Sequence, residues 1–160
     1  MHALRMALTW DPWAALGARP HLVYGRADLP ALLGGAVYWP LGRYVAVLID
    51  RRERRVRRRC LLAHELVHDE RLGGCDADFM PDSWDAVVSR EEGWVNDIVA
   101  DRLVPPAELQ ALCLRLADLE IGVTPADVAA EFDVTEEVAA RALSRLPTSF
   151  APAGCTGDGP

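Results

Sequence analysis

Three residues on one stretch of chain have the types and the spacing for metal chemistry: His64, Glu65 and His68, in the segment His64-Glu65-Leu66-Val67-His68. Histidines four apart on a helix project from nearly the same face, one turn above the other, so both imidazoles reach a single ion. Glu65 is about a quarter-turn round the helix, beside the open position of a tetrahedral site without being a ligand. A carboxylate there can take a proton from water and pass it to a leaving amine. Leu61, Leu62, Leu66 and Val67 surround the triplet and supply the apolar sides that bury such a helix. The chain has four histidines in all, and two of them stand here.

A third ligand has to come from another buried element. Glu91 and Glu92 are the candidates, and both flank the apolar stripe through Val88 and Val95. Glu92 has the advantage of Asn96 four residues on, because a polar side chain one turn from a metal-binding glutamate is placed to fix the free N–H of a ligand histidine. Two imidazoles and a carboxylate suit zinc among the divalent ions. Oxyanion stabilisation needs a donor opposite Glu65; Tyr38, Tyr44 and His21 are the candidates.

The elements that must carry these groups read as α+β. Strand-rich runs at His21–Leu29, Ala36–Trp39 and Tyr44–Asp50, with turns at Gly34-Gly35 and Pro40-Leu41-Gly42, predict a small, mostly antiparallel sheet of three strands. Trp10, Trp13 and Leu16 predict a short helix packed on the body. Val56–Leu72 and Ser83–Val104 predict two long helices, separated by a Gly/Asp/Pro-rich loop over Gly73–Asp82. Ala107–Ala117 predicts a third, started after Pro105-Pro106. Thr124-Pro125 caps Ala126–Phe132, and Thr135 caps a last helix to about Leu146. The whole reads as one domain over 1–146: mainly sheet over 1–55, the metal-site helices over 56–104 and C-terminal helices over 105–146. A Pro/Gly/Thr-rich tail, predicted to be disordered, occupies 147–160.

The helix bearing His64-Glu65-Leu66-Val67-His68, followed by a glutamate-bearing helix that closes on an apolar-Pro step, resembles the ImmA/IrrE-type metallopeptidases of bacteria and their mobile elements. In that family the second element reads Glu, two residues, Ala-Asn, then a close in Leu-Leu-Met-Pro. This chain has Glu92-Gly93-Trp94-Val95-Asn96 and closes in Arg102-Leu103-Val104-Pro105, with the same spacing from Glu to Pro. The resemblance covers about residues 21–146. Val95 stands for the usual alanine and Arg102 for the usual leucine; neither is a ligand position. The resemblance implies zinc on His64, His68 and Glu92 with Glu65 as base. It also implies a job: cleaving a transcriptional repressor to release a stress response or the genes of a mobile element. The alternative is a metal-binding regulator that binds a repressor without cutting it.

Composition narrows the remaining classes. The net charge of −7 disfavours nucleic-acid binding by the surface at large. Residues 124–146 have the spacing of a helix-turn-helix, but the second helix opens Glu136-Glu137, with Asp127, Glu131 and Asp133 nearby, which repels phosphate. A structural helical hairpin is expected instead. Arg51–Arg59 places seven arginines in nine residues, read either as a solvated strand end and first helical turn or as a cationic rim that recognises an acidic stretch of substrate. The N-terminal stretch lacks the pattern of a secretory signal, and no apolar run is long enough to span a membrane. A cytoplasmic protein is expected, with Cys60, Cys75, Cys113 and Cys155 as free thiols; Cys60 is expected to be a buried small hydrophobe.

Overall fold

The computed structural model describes residues 10–72 and 84–147. The loop expected at Gly73–Asp82, most of the C-terminal tail, and Cys75 and Cys155 lie outside the described residues. Among those residues the protein is α+β, with six α-helices and one three-stranded sheet. Contacts divide it into two compact units, Trp10–Val99 and the residues from Ala100 on.

In the first unit, α1 (Pro12–Gly17) is followed by β1 (Leu22–Ala27), β2 (Ala36–Leu41) and β3 (Tyr44–Asp50). Asp11 caps α1, its carboxylate accepting from the Trp13 N–H at 3.0 Å. Sequence alternation sets the buried face of β3: Val47 and Ile49 are fully buried and pack with Leu22 of β1 and with Leu62 and Leu66 of α2 (Arg55–Leu72). Trp10 and Leu16 pack against the same cluster as expected, whereas Trp13 is 40% exposed and meets Tyr24 edge-on with ring centroids 5.2 Å apart.

The sheet is mixed, not mostly antiparallel. Its order is β1-β3-β2: β2 and β3 form an antiparallel hairpin, while β1 runs parallel to β3 with Leu22 opposite Val45 and Ala27 opposite Asp50. The cause lies at the end of β3. The Asp50 carboxylate accepts from the Leu29 N–H at 3.2 Å, and the Asp50 N–H donates to the Gly35 carbonyl at 2.8 Å. The segment between β1 and β2, which includes a 3₁₀ turn at Ala31–Leu33, is thereby held at the end of β3 instead of reversing into a hairpin. The hairpin turn itself is Gly42-Arg43, with Gly42 at φ 62° as a two-residue loop with glycine first requires. Pro40 belongs to β2, where an edge strand tolerates the missing N–H.

The next described element is helix α3 (Trp84–Leu103). Val95, Val99 and Leu103, four apart, are all buried, so a single stripe sets its rotation. In the second unit, Pro105 and Pro106 open α4 (Pro106–Ala117). Thr124 and Asp127 form a reciprocal capping box at the start of α5 (Pro125–Phe132), and the Thr135 hydroxyl accepts from Val138 to start α6 (Glu136–Ser144). Asp133 takes the left-handed conformation (φ 55°) that ends α5. Val128, Val134, Ala139 and Ala142 are the buried residues of this helical pair. No helix among the described residues is long and apolar enough to cross a membrane.

Candidate metal centre

The helical phase of α2 divides its residues by role. Leu62 and Leu66 face the sheet, Ala63 and Val67 are buried, and His64 and His68 share the remaining face with ring centroids 4.7 Å apart. Helix α3 brings Glu92 and Asn96, also one turn apart, onto that face. His64 Nε2 lies 3.1 Å from Glu92 Oε2, His68 Nε2 lies 3.1 Å from Glu92 Oε1, and the two Nε2 atoms are 3.0 Å apart.

Asn96 decides what His64 offers. Its Oδ1 is 3.1 Å from His64 Nδ1. An amide oxygen accepts only, so Nδ1 carries the proton and Nε2 points its lone pair at Glu92 and His68. Burial, then the neighbouring His68, push the His64 imidazole below its ordinary pKa, with Glu92 acting in the opposite sense. A neutral imidazole with Nε2 free is the form a metal requires.

The group formed by His64, His68 and Glu92 can hold a metal ion. Three electron-pair donors this close repel one another unless a proton or a cation lies among them. The two Nε2 atoms are 3.0 Å apart and each has its own Glu92 oxygen at 3.1 Å, against roughly 3.3 Å between ligand atoms around a tetrahedral zinc with bonds of about 2.0–2.1 Å. The donor set and its spacing fit such an ion.

Glu65 is 8% exposed. Burial first, and the charge of Glu92 second, push its carboxyl up to about 7. A group that ionises near neutrality is suited to taking and returning a proton. Arg71 separates the two adjacent glutamates: its guanidinium pairs with Glu91, donating from Nη2 to Oε2 at 2.7 Å, and stacks on Trp94 with Cζ 4.1 Å from the ring centroid. Glu91 is thus held by an arginine, and Glu92 is with the histidines.

The three candidate oxyanion donors separate. Tyr38 Oη donates to Asp69 Oδ1 at 2.9 Å, and burial followed by this bond pushes the phenol up to about 12. His21 Nε2 lies 2.9 Å from the same oxygen. Tyr44 stands at the start of β3, beneath the Arg43 guanidinium at 4.9 Å. Asp69 itself, with Arg19 Nε at 3.3 Å from Oδ2, was not singled out by sequence reasoning. A signal existed: Asp69 sits seven residues after Leu62, on the helix face that packs against the sheet, where a carboxylate needs partners. Cys60 and Cys113 are buried and form no disulfide among the described residues.

No protein-family model, curated protein or solved structure matches the chain.

Proposed function

We propose that this protein is a zinc-dependent endopeptidase of the ImmA/IrrE type, acting in the cytoplasm on a protein substrate, a transcriptional repressor of a stress response or mobile element. One observation carries the reading: Glu92 meets both His64 and His68 at 3.1 Å while Glu65, which no ligand set needs, is buried beside them. A purely structural metal site has no use for that carboxylate. Zinc held by these three residues would supply Lewis acidity toward water and the peptide carbonyl. Glu65 takes the proton of the attacking water and delivers it to the departing amine. Asn96 keeps His64 in the tautomer that binds. Asp69 ties the end of α2 to Tyr38 and His21, which steadies the side of the sheet nearest Glu65. The hairpin of α5 and α6 is structural in this reading, because exposed Glu136 and Glu137 open the helix that a DNA reader would present.

The test is metal content and cleavage measured together. Purified wild type should hold about one zinc per chain, lost in His64→Ala, weakened in Glu92→Ala and retained in Glu65→Gln. Cleavage of an unfolded protein should fall by about 10²–10⁴-fold in Glu65→Gln. A wild type that binds no zinc when it is supplied refutes the proposal, and so does a Glu65→Gln variant that cuts as well as wild type.

A further inference from the structure

The arginine run is the largest feature that the metal centre leaves unexplained. The chain has a net charge of −7, yet from Asp50 to Arg59 it carries seven arginines against two carboxylates. Arg59 is buried; Arg51, Arg52, Arg54 and Arg55 are exposed, and the Arg57 side chain is 42% exposed. The strand-end arginines have structural duties: Arg51 pairs with Asp28 at 2.9 Å, and Arg52 holds Asp50. Arg57 Nε lies 3.3 Å from Oε2 of Glu53, a half-buried carboxylate just ahead of α2, and the Arg57 side chain remains 42% exposed beside it. Arg58 keeps its buried Nε without a hydrogen-bond partner among the described residues.

Position gives this charge a direction. Arg57 and Arg58 lie seven residues before His64 and Glu65, close to two full turns, so they continue the same helix faces about 10 Å along the axis. Strand β2 runs beside the row of Leu61, Glu65 and Asp69, which Arg58 continues, in the same sense as α2. At its start, a Cβ on Gly35 would lie 2.7 Å from Glu53 Oε1 and 3.2 Å from Leu61 Cδ1; further along, Tyr38 bonds Asp69. β2 is an edge strand. An extended chain lying over the metal centre along this border crosses about 10 Å in roughly three residues and arrives at the arginines.

We propose that Arg54, Arg57 and Arg58 form a recognition subsite for an acidic side chain of the polypeptide substrate, about three residues from the bond that is cut. The inference rests on the peptidase reading for its register. A peptide fits better than a nucleic acid: the positive charge is confined to one end of a helix in an acidic protein, whereas a polyanion needs a continued cationic track.

The test is binding, read separately from cleavage. Zinc-loaded Glu65→Gln protein is titrated with labelled peptides identical except for Glu, Ala or Lys three positions to either side of the centre. The acidic peptide should bind about fivefold to tenfold more tightly than the alanine peptide, with the gap narrowing as salt rises. Arg54→Glu/Arg57→Glu should reverse the order to favour lysine, and Arg57→Lys should retain the acidic preference. Equal binding of all three peptides overturns the subsite, and so does tighter binding of a length-matched single-stranded oligonucleotide. Wild-type cleavage distinguishes the two readings. Cutting without acidic preference overturns the subsite and leaves the peptidase. Acidic, arginine-dependent binding without any cutting supports the recognition surface and removes the peptidase.

Discussion

The hydrogen bond between Asn96 and His64 makes the sharpest claim about how this centre works, because it assigns a proton. Asn96→Ala removes the acceptor that stands 3.1 Å from His64 Nδ1. A buried donor left without its partner costs about 1–3 kcal/mol. The His64 side chain is 22% exposed, so water replaces part of the bond and the lower end of that range applies. About 1.4 kcal/mol corresponds to a tenfold change, which agrees with the roughly 10–100-fold effects of removing such outer partners. Zinc affinity of Asn96→Ala, measured by competition with a chelator at neutral pH, should therefore fall about tenfold. Asn96→Asp keeps an acceptor in place and adds a negative charge, and it should bind zinc within about threefold of wild type. Thermal unfolding of the metal-free proteins serves as the control for folding. If Asn96→Ala binds zinc as wild type does, or if Asn96→Asp is as poor as Asn96→Ala, the tautomer argument is wrong.

Asp69 accepts from Tyr38 and His21 and pairs with Arg19, with its side chain 7% exposed. Asp69→Ala should destabilise the protein by about 2–4 kcal/mol in urea unfolding, since it strands several donors at once; a loss below about 0.5 kcal/mol, the scale of an ordinary surface substitution, would show the cluster to be unimportant. Asp50 gives a pH prediction. The Arg52 guanidinium, then the Arg52 backbone N–H, hold its carboxyl well below the usual carboxylate range. With the folded pKa depressed, the unfolded chain takes up the proton first as pH falls. The stabilisation from Asp50 is then complete above about pH 5 and declines below about pH 4. The stability deficit of Asp50→Asn should be greatest at neutral pH and shrink toward about pH 2; a deficit that does not change with pH would disprove the linkage.

How much of this was readable from the chain depended on how far apart the interacting residues stand. His64 with His68, and Glu92 with Asn96, are one-turn repeats on helices whose rotation is set by Leu62, Leu66, Val95 and Val99. Each pair is visible in a few residues of sequence, and the structure brings the two pairs together at His64 and Asn96, 32 positions apart. Helix starts at Thr124 and Thr135 were legible for the same reason, since a cap acts within three residues. Glu91 and Glu92 lie about 100° apart on the helix, yet both flank its apolar stripe, so the sequence favoured Glu92 only through Asn96; what divides them in the structure is Arg71, which lies on the other helix.

The sheet was misread where long-range contacts decide. Alternation in Tyr44–Asp50 reports which side chains face inward, not which neighbour lies on either side. The parallel placement of β1 depends on Asp50 bonding to Leu29, 21 positions away. Asp69 was overlooked in the same way, because its partners His21 and Tyr38 are 48 and 31 positions distant. The centre thus combines two kinds of constraint. Local repeats aim the donors, which is why they can be recognised in one sequence. Distant carboxylates, Asp50 and Asp69, hold the sheet and the helix that carries His64 and His68 in register. A substitution at either carboxylate should therefore act on the metal centre through the stability of its support while leaving every ligand intact.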